Sequence, residues 1–150
     1  MNVIYIGLGR IGLPQALLAA SSGHNVVGVD TNRNVVDSIK AHKTHFFEKG
    51  MHDILVQVID NTFSVYTDIK DVTCNADIVF FVLGTEIPSY PEKMDFSSTL
   101  KTLKVVGKKF PSAVFVFRAT FPIGTIDYFH KEVPEVKLAF VPERLVEGNA

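Results

Sequence analysis

The chain has one cysteine, Cys74, among 150 residues, so no intrachain disulfide can form and a reducing, cytoplasmic compartment is the expectation. It also lacks a charge imbalance. Lys and Arg total 15 against 16 for Asp and Glu, a formal net charge of -1, which removes the electrostatic footprint of a nucleic-acid or membrane-surface partner. No apolar run reaches membrane-spanning length. Residues 1 to 6 begin one that glycines break at once, and no basic stretch precedes it, so neither a signal peptide nor a transmembrane helix is expected and the mature chain should begin at or near Met1. Internal repeats, low-complexity tracts and linkers are missing too, which leaves one domain. A compact chain of this size buries roughly 70% of the surface that its unfolded form exposes, so a sizeable core is available. The 47% hydrophobic content is that of an ordinary globular protein.

What is present is an alternation of short β-branched and aromatic runs with longer stretches of helical spacing. Strands are expected at Val3 to Ile6, Asn25 to Val29, Ser64 to Tyr66, Asp77 to Leu83, Ala113 to Phe117 and Lys137 to Val141. Helices are expected at Ile11 to Ser22, Arg33 to Ala41, Met51 to Asn61, Ser97 to Lys109 and Ile123 to Lys131, with Asn32 and Asp95 as N-caps. The runs Ile78 to Leu83 and Val114 to Phe117 are continuously apolar, as central strands covered by helices on both faces should be. The pattern predicts an α/β fold, a doubly wound and mostly parallel six-stranded Rossmann sheet. The loop from Gly84 to Met94 follows a central strand at its carboxyl end, where ligands bind in such sheets.

Gly7-Leu8-Gly9-Arg10-Ile11-Gly12 matches G-x-G-x-x-G, a pattern that is weak alone. Here a strand precedes it, a helix follows it, and Asp30 ends the second strand 18 residues after Gly12. In that context it is a dinucleotide-binding fingerprint. Gly7 permits the tight turn, Gly9 admits a pyrophosphate, Gly12 lets helix and strand approach, and the helix N-terminus faces the anion. Asp30 would accept from the adenosine ribose hydroxyls and repel a 2'-phosphate, which favours NAD over NADP, although Arg33 lies close enough to blur that choice. The expected cofactor residues in this half are Gly7, Gly9, Arg10, Ile11, Gly12, Asp30 and Arg33.

Beyond the fingerprint, Gly7-Leu-Gly-Arg-Ile-Gly-Leu-Pro14 resembles the opening of the UDP-glucose/GDP-mannose dehydrogenase family. Further matches follow in order: Val29-Asp30-Thr31-Asn32, Gly84-Thr85 with Asp95, Ala119 to Thr125, and Pro142 to Ala150 with its Pro-Glu-Arg start. The resemblance covers the whole chain but only the family's amino-terminal third or so. It implies the NAD-binding domain of an enzyme that oxidises a nucleotide-sugar C6 alcohol to a carboxylate in two NAD-dependent steps, through a thioester on a cysteine of a carboxyl-terminal sugar-binding domain. That domain and the family's central helix are absent here, so the fragment is expected to be inactive, with a UDP-sugar as partner only in the full enzyme and a homodimer as its assembly.

The resemblance carries over Thr85 and Thr120 as cofactor contacts, Thr120 and Glu147 as organisers of water and proton transfer, and Glu143 as a residue near the sugar and the thioester chemistry. The catalytic candidates are thus Thr120, Glu143 and Glu147. Read without the resemblance, each is a turn or surface residue at the ligand-bearing edge of the sheet. Arg144 points toward an N-acetylated UDP-sugar, since Pro-Glu-Arg goes with UDP-N-acetylhexosamines in the family and Pro-Glu-Phe with UDP-glucose and GDP-mannose. Arg10, Lys49 and Ala119 depart from the usual aromatic, proline and serine. Cys74 lies in the wrong half and motif to be the catalytic cysteine and is expected to be a buried residue at a helix-strand junction.

His42, His45, Glu48 and His52 crowd one stretch, which reads as a connection packed by Phe46 and Phe47 and not as a metal site. Lys101, Lys104, Lys108 and Lys109 read as a solvated helix face. Two further readings stay open: a stand-alone nucleotide-binding module without chemistry, and a UDP-glucose 6-dehydrogenase fragment. A β-hydroxyacid dehydrogenase would need a glycine-rich substrate loop that Phe117 to Pro122 does not resemble.

Overall fold

A computed structural model describes residues 1–84 and 96–144. Its strands are β1 (Asn2–Ile6), β2 (Asn25–Val29), β3 (Phe63–Tyr66), β4 (Ile78–Phe81), β5 (Val114–Phe117) and β6 (Lys137–Phe140). The helices are α1 (Gly12–Ser21), α2 (Arg33–Lys40), α3 (Met51–Val58), α4 (Ser97–Lys109) and α5 (Thr125–Glu132), with a 3-10 turn at Ile69–Asp71 that periodicity did not foretell. The strands form one parallel sheet in the order β3-β2-β1-β4-β5-β6. The order reverses between β1 and β4, and that switch point is where such a sheet opens a crevice for a ligand.

Successive strand side chains alternate between faces, so each apolar strand feeds two cores. On one face Val3, Tyr5, Val26 and Val65 meet Leu13 and Leu17 of α1, Ile39 of α2 and Leu55 of α3. On the other, Ile4, Val79, Phe81, Phe115 and Phe117 meet Leu103 and Val106 of α4 and Phe129 of α5. Phe81, Phe115, Phe117 and Phe129 are at most 1% exposed. Burying each contributes roughly 2–3 kcal/mol, so the second core anchors β4 and β5 firmly.

The expectation that β4 and β5 are covered on both faces needs correction. Both α4 and α5 pack on the second face, so Ile78, Phe80, Val114 and Ala139, which point the other way, stay half-buried. Other boundaries also shift. α3 ends at Val58, where the chain turns through Asp60 at a φ of 60°, three residues before the expected Asn61. α5 starts at Thr125 after Gly124 at a φ of 90°, leaving Ile123 fully exposed outside it. The Asn32 cap is as expected, its side chain accepting from the Asn34 N–H, whereas Asp95 lies outside the described residues. Cys74 is exposed, contrary to the buried junction expected, because it follows the 3-10 turn in open loop. Phe47 is 84% exposed, so Phe46 alone of that pair packs. No helix among the described residues is long and apolar enough to cross a membrane.

Candidate cofactor-binding site

The fingerprint loop lies at the carboxyl end of β1, and its glycines fall into two physical kinds. Gly7 adopts a φ of 96°, and a Cβ there would stand 2.4 Å from the Val82 carbonyl oxygen. At Gly12 a Cβ would stand 1.9 Å from the Gly7 carbonyl oxygen. Both are required by the fold, since the loop folds back on itself and beside β4. Gly9 is different: nothing lies within 4 Å of its would-be Cβ. That open space sits at the N-terminus of α1, where free amides and the positive end of the helix dipole favour an anion. The residues present therefore fit a dinucleotide pyrophosphate.

Asp30 locks this loop to β2. Its carboxylate accepts from the Leu8 N–H at 2.8 Å and from the Asn32 N–H at 2.9 Å. Each oxygen keeps a lone pair free, so the side chain can hold the loop and still receive two ribose hydroxyls. Beside it lies an apolar cavity of about 350 Å3, lined by Gly7, Asp30, Thr67, Ile69, Lys101 and Thr102 among others. A flat, uncharged base fits such walls. The lining residues of α4 and of the β3 exit carry no motif in the sequence, and Lys101 belongs to the helix face that reads as solvated.

The connection between α2 and α3 closes the outer side. Arg10 lies 6.0 Å from the Phe46 ring centroid, and His45 meets the same ring edge-on at 4.7 Å. The Asp30 carboxylate and, more weakly, the Leu8 backbone pull the pKa of His45 upward. Partial burial outweighs both and holds its pKa below the ordinary histidine value. Among the described residues no group of three His, Cys, Asp or Glu side chains is placed to hold a metal.

A second polar cluster joins the ends of β5 and β6 to α1. Glu143 pairs with Arg118 and accepts from the Gln15 side-chain amide, while Arg118 also donates to the Val141 carbonyl oxygen at 3.0 Å. The Arg118 Nε is buried without a hydrogen-bond partner among the described residues. Close by, Tyr5 stacks on Phe80 at 4.7 Å, and burial pushes its phenol up to about 12 against the opposing pull of Arg118. Sequence reading missed Arg118 and Gln15. The available signal was a cation closing the otherwise apolar run Val114 to Phe117.

The structure thus brings Gly7, Gly9, Gly12 and Asp30 into one cradle, with Arg10 at its rim and Ile11 as the residue that opens α1. Arg33 is exposed at the start of α2, and Thr120 is exposed in the loop after β5. Thr85 and Glu147 lie outside the described residues.

Comparison with known proteins agrees with this geometry. The model of the UDP-glucose/GDP-mannose dehydrogenase family, NAD binding domain, matches residues 1–150. UDP-N-acetyl-D-mannosamine dehydrogenase of Campylobacter jejuni is 31% identical over 99% of this chain and 40% of its own length. UDP-glucose 6-dehydrogenase of the same organism is 29% identical over 100% of this chain and 38% of its own length. The chain thus spans about two fifths of the curated relatives it matches. The same fold occurs in the UDP-D-ManNAc dehydrogenase of Pyrococcus horikoshii, at a TM-score of 0.88 and 24% identity over 99% of this chain and 37% of the other. It occurs also in the GDP-mannose dehydrogenase of Pseudomonas aeruginosa, at a TM-score of 0.86 and 23% identity over the same shares. Loop, acidic residue, sheet order and the match along all 150 residues converge: the chain belongs to the UDP-glucose/GDP-mannose dehydrogenase family and is its NAD-binding domain.

Proposed function

We propose that this chain is the cofactor half of a nucleotide-sugar 6-dehydrogenase, acting on a UDP-N-acetylhexosamine and oxidising its C6 alcohol to a carboxylate in two NAD-dependent steps. One observation carries the reading: an anion cradle at Gly9, locked through Leu8 to Asp30, stands on the sheet edge that also carries the Arg118–Glu143–Gln15 cluster. NAD supplies the hydride acceptor. Gly7, Gly9, Arg10, Ile11 and Gly12 hold its pyrophosphate, and Asp30 takes the adenosine ribose, with Arg33 nearby. Thr85 and Thr120 complete the cofactor contacts in this reading.

Glu143, held by Arg118 and Gln15, keeps a carboxylate fixed beside the helix that anchors the cofactor. It serves the sugar side of the reaction, with Thr120 and Glu147 ordering water and protons. The choice of an N-acetylated sugar rests on Arg144 after Glu143 and on the similarity to UDP-N-acetyl-D-mannosamine dehydrogenases. Cys74 is exposed in the loop before β4 and takes no part. The thiol chemistry belongs to a second domain that the relatives' greater length can hold, and the cytoplasm is the compartment proposed.

The isolated chain should therefore bind NAD and turn nothing over. NADH absorbance with UDP-N-acetylmannosamine, UDP-N-acetylglucosamine, UDP-glucose and GDP-mannose at high protein concentration tests this. A flat trace with all four is expected. Steady NADH production that survives Cys74→Ser but is lost in Thr120→Ala would overturn the half-enzyme reading.

A further inference from the structure

The carboxyl ends of β5 and β6 carry a charge pair that the two cores do not call for. The Arg118 N–H donates to the Phe81 carbonyl oxygen and the Arg118 carbonyl oxygen accepts from the Glu143 N–H, so the backbone ladder runs on past both strands and brings the two side chains together. These side chains are only 18% and 15% exposed. Arg118 also lines a groove of about 460 Å3 between α1 and β4, whose other walls include Val3, Leu18, Ile78 and Phe80. In such surroundings an apolar pair of similar volume would cost less desolvation than two charges, so stability alone does not account for Arg118 and Glu143.

We propose that Arg118 is a positioning residue for Glu143, holding its carboxylate ionised and fixed so that Glu143 serves the sugar as a hydrogen-bond acceptor and takes no proton itself. The proposal rests on the reading of Glu143 as a sugar-side residue, and it leaves proton transfer to Thr120 and Glu147. The geometry behind it is a carboxylate with donors on both oxygens. Oε2 accepts from Arg118 Nη2 and from the Gln15 side-chain amide, and Oε1 accepts from the Arg144 N–H at 2.6 Å. Three donors, one of them cationic, stabilise the ionised form, and protonation would deprive them of a full acceptor.

The two long-range donors have different parts. Gln15 is neutral and comes from α1, the helix whose N-terminus faces the cofactor, so it sets the distance from Glu143 to that helix. Arg118 supplies the charge. Arg144 meets the carboxylate through its backbone N–H. Among the described residues on this face, the Tyr5 phenol is pushed up to about 12 and stays neutral, while His24, the Met1 terminus and Lys137 stand at the opposite, amino end of the strands. An opposite charge and donors of this kind lower the pH at which a carboxylate takes its proton, so Glu143 should remain ionised where an ordinary glutamate protonates.

Carbon-13 NMR of the glutamate side-chain carboxyls in the whole chain tests this, with the Glu143 resonance identified by its loss in Glu143→Gln. In wild type the resonance should keep its ionised position down to about pH 4, where an ordinary glutamate is more than half protonated. Arg118→Met, which keeps most of the side-chain length and removes the charge, should raise the midpoint by about one pH unit or more, a tenfold change in acid dissociation. Arg118→Lys keeps the charge but not the second arm to the Val141 carbonyl oxygen, and should recover part of that shift. Gln15→Leu should move the midpoint less than Arg118→Met does. Were Arg118 only a tie to Val141, its loss would lower the melting temperature and leave the midpoint unmoved. An ordinary glutamate titration in wild type, which needs no variant to fold, or equal midpoints in wild type and Arg118→Met, would overturn the role given to Arg118 and leave the NAD site untouched. A low-titrating Glu143 in a folded chain that binds no NAD would instead overturn the cofactor-half reading, and the sugar-side role of Glu143 with it.

Discussion

Gly9 and Gly12 lie three residues apart in one loop, and the structure assigns them separate work. Because a Cβ at Gly9 meets open space, Gly9→Val should leave the melting temperature close to wild type and abolish NAD binding. Because a Cβ at Gly12 would stand 1.9 Å from the Gly7 carbonyl oxygen, Gly12→Ala should destabilise the fold by about 3 kcal/mol. Thermal melts paired with NAD titrations distinguish the two, and a Gly9→Val chain that melts far below wild type would contradict the division. The G-x-G-x-x-G pattern made these positions legible in the sequence. Which neighbour each glycine spares became visible only in three dimensions, since Val82 and Gly7 are brought there by the sheet. Tyr5 offers a second test at this scale. Its phenol, pushed up by burial to about 12, favours the neutral form in the folded chain. A raised folded-state value means that this contribution to stability is complete below pH 10 and is lost as pH rises toward about 12. Absorbance titration of wild type against Tyr5→Phe should show one late-ionising phenol missing from the variant, and identical titration of the remaining phenols with no late step in wild type would contradict it.

Elements were legible where propensity and packing agree. The Asn32 cap and the six strands and five helices around the two cores follow from local pattern, because the same apolar residues that favour each element are the ones it buries. Misplacements occurred where a turn overrides periodicity. α3 stops at Val58 and α5 waits for Thr125 because Asp60 and Gly124 take positive φ, which an apolar spacing pattern does not register. The unbalanced covering of β4 and β5 was illegible for another reason: a continuous apolar run does not say which face a later helix will take. The cluster tying the ends of β5 and β6 to α1 could not be read either, since Gln15 and Glu143 are 128 residues apart. Truncating Arg118 would strand the Glu143 carboxylate, so Arg118→Ala should cost about 2–4 kcal/mol in denaturant unfolding. Gln15→Ala should cost less than 2 kcal/mol, because the ion pair remains. Equal and negligible costs for both would show that the cluster does not hold these elements together.

The whole molecule is two half-sheets related at the β1–β4 boundary, with helices of the first half on one face and those of the second half on the other. Fold class and cofactor were legible at this scale because a strand, a glycine loop, a helix and an acidic residue recur in fixed order in dinucleotide-binding sheets. The proposed sugar side was less legible, since Glu143 depends on partners from distant elements and Thr85 and Glu147 lie outside the described residues. The chain spans about two fifths of the length of the UDP-N-acetyl-D-mannosamine and UDP-glucose dehydrogenases of Campylobacter jejuni that it matches. Calorimetric titration of the isolated chain at neutral pH with NAD and, separately, NADP tests this account most directly. One NAD per chain, bound at least tenfold more tightly than NADP, is the result predicted by an open pyrophosphate cradle at Gly9 beside the Asp30 carboxylate. Absence of NAD binding by a folded chain, or NADP bound as tightly as NAD, would contradict it.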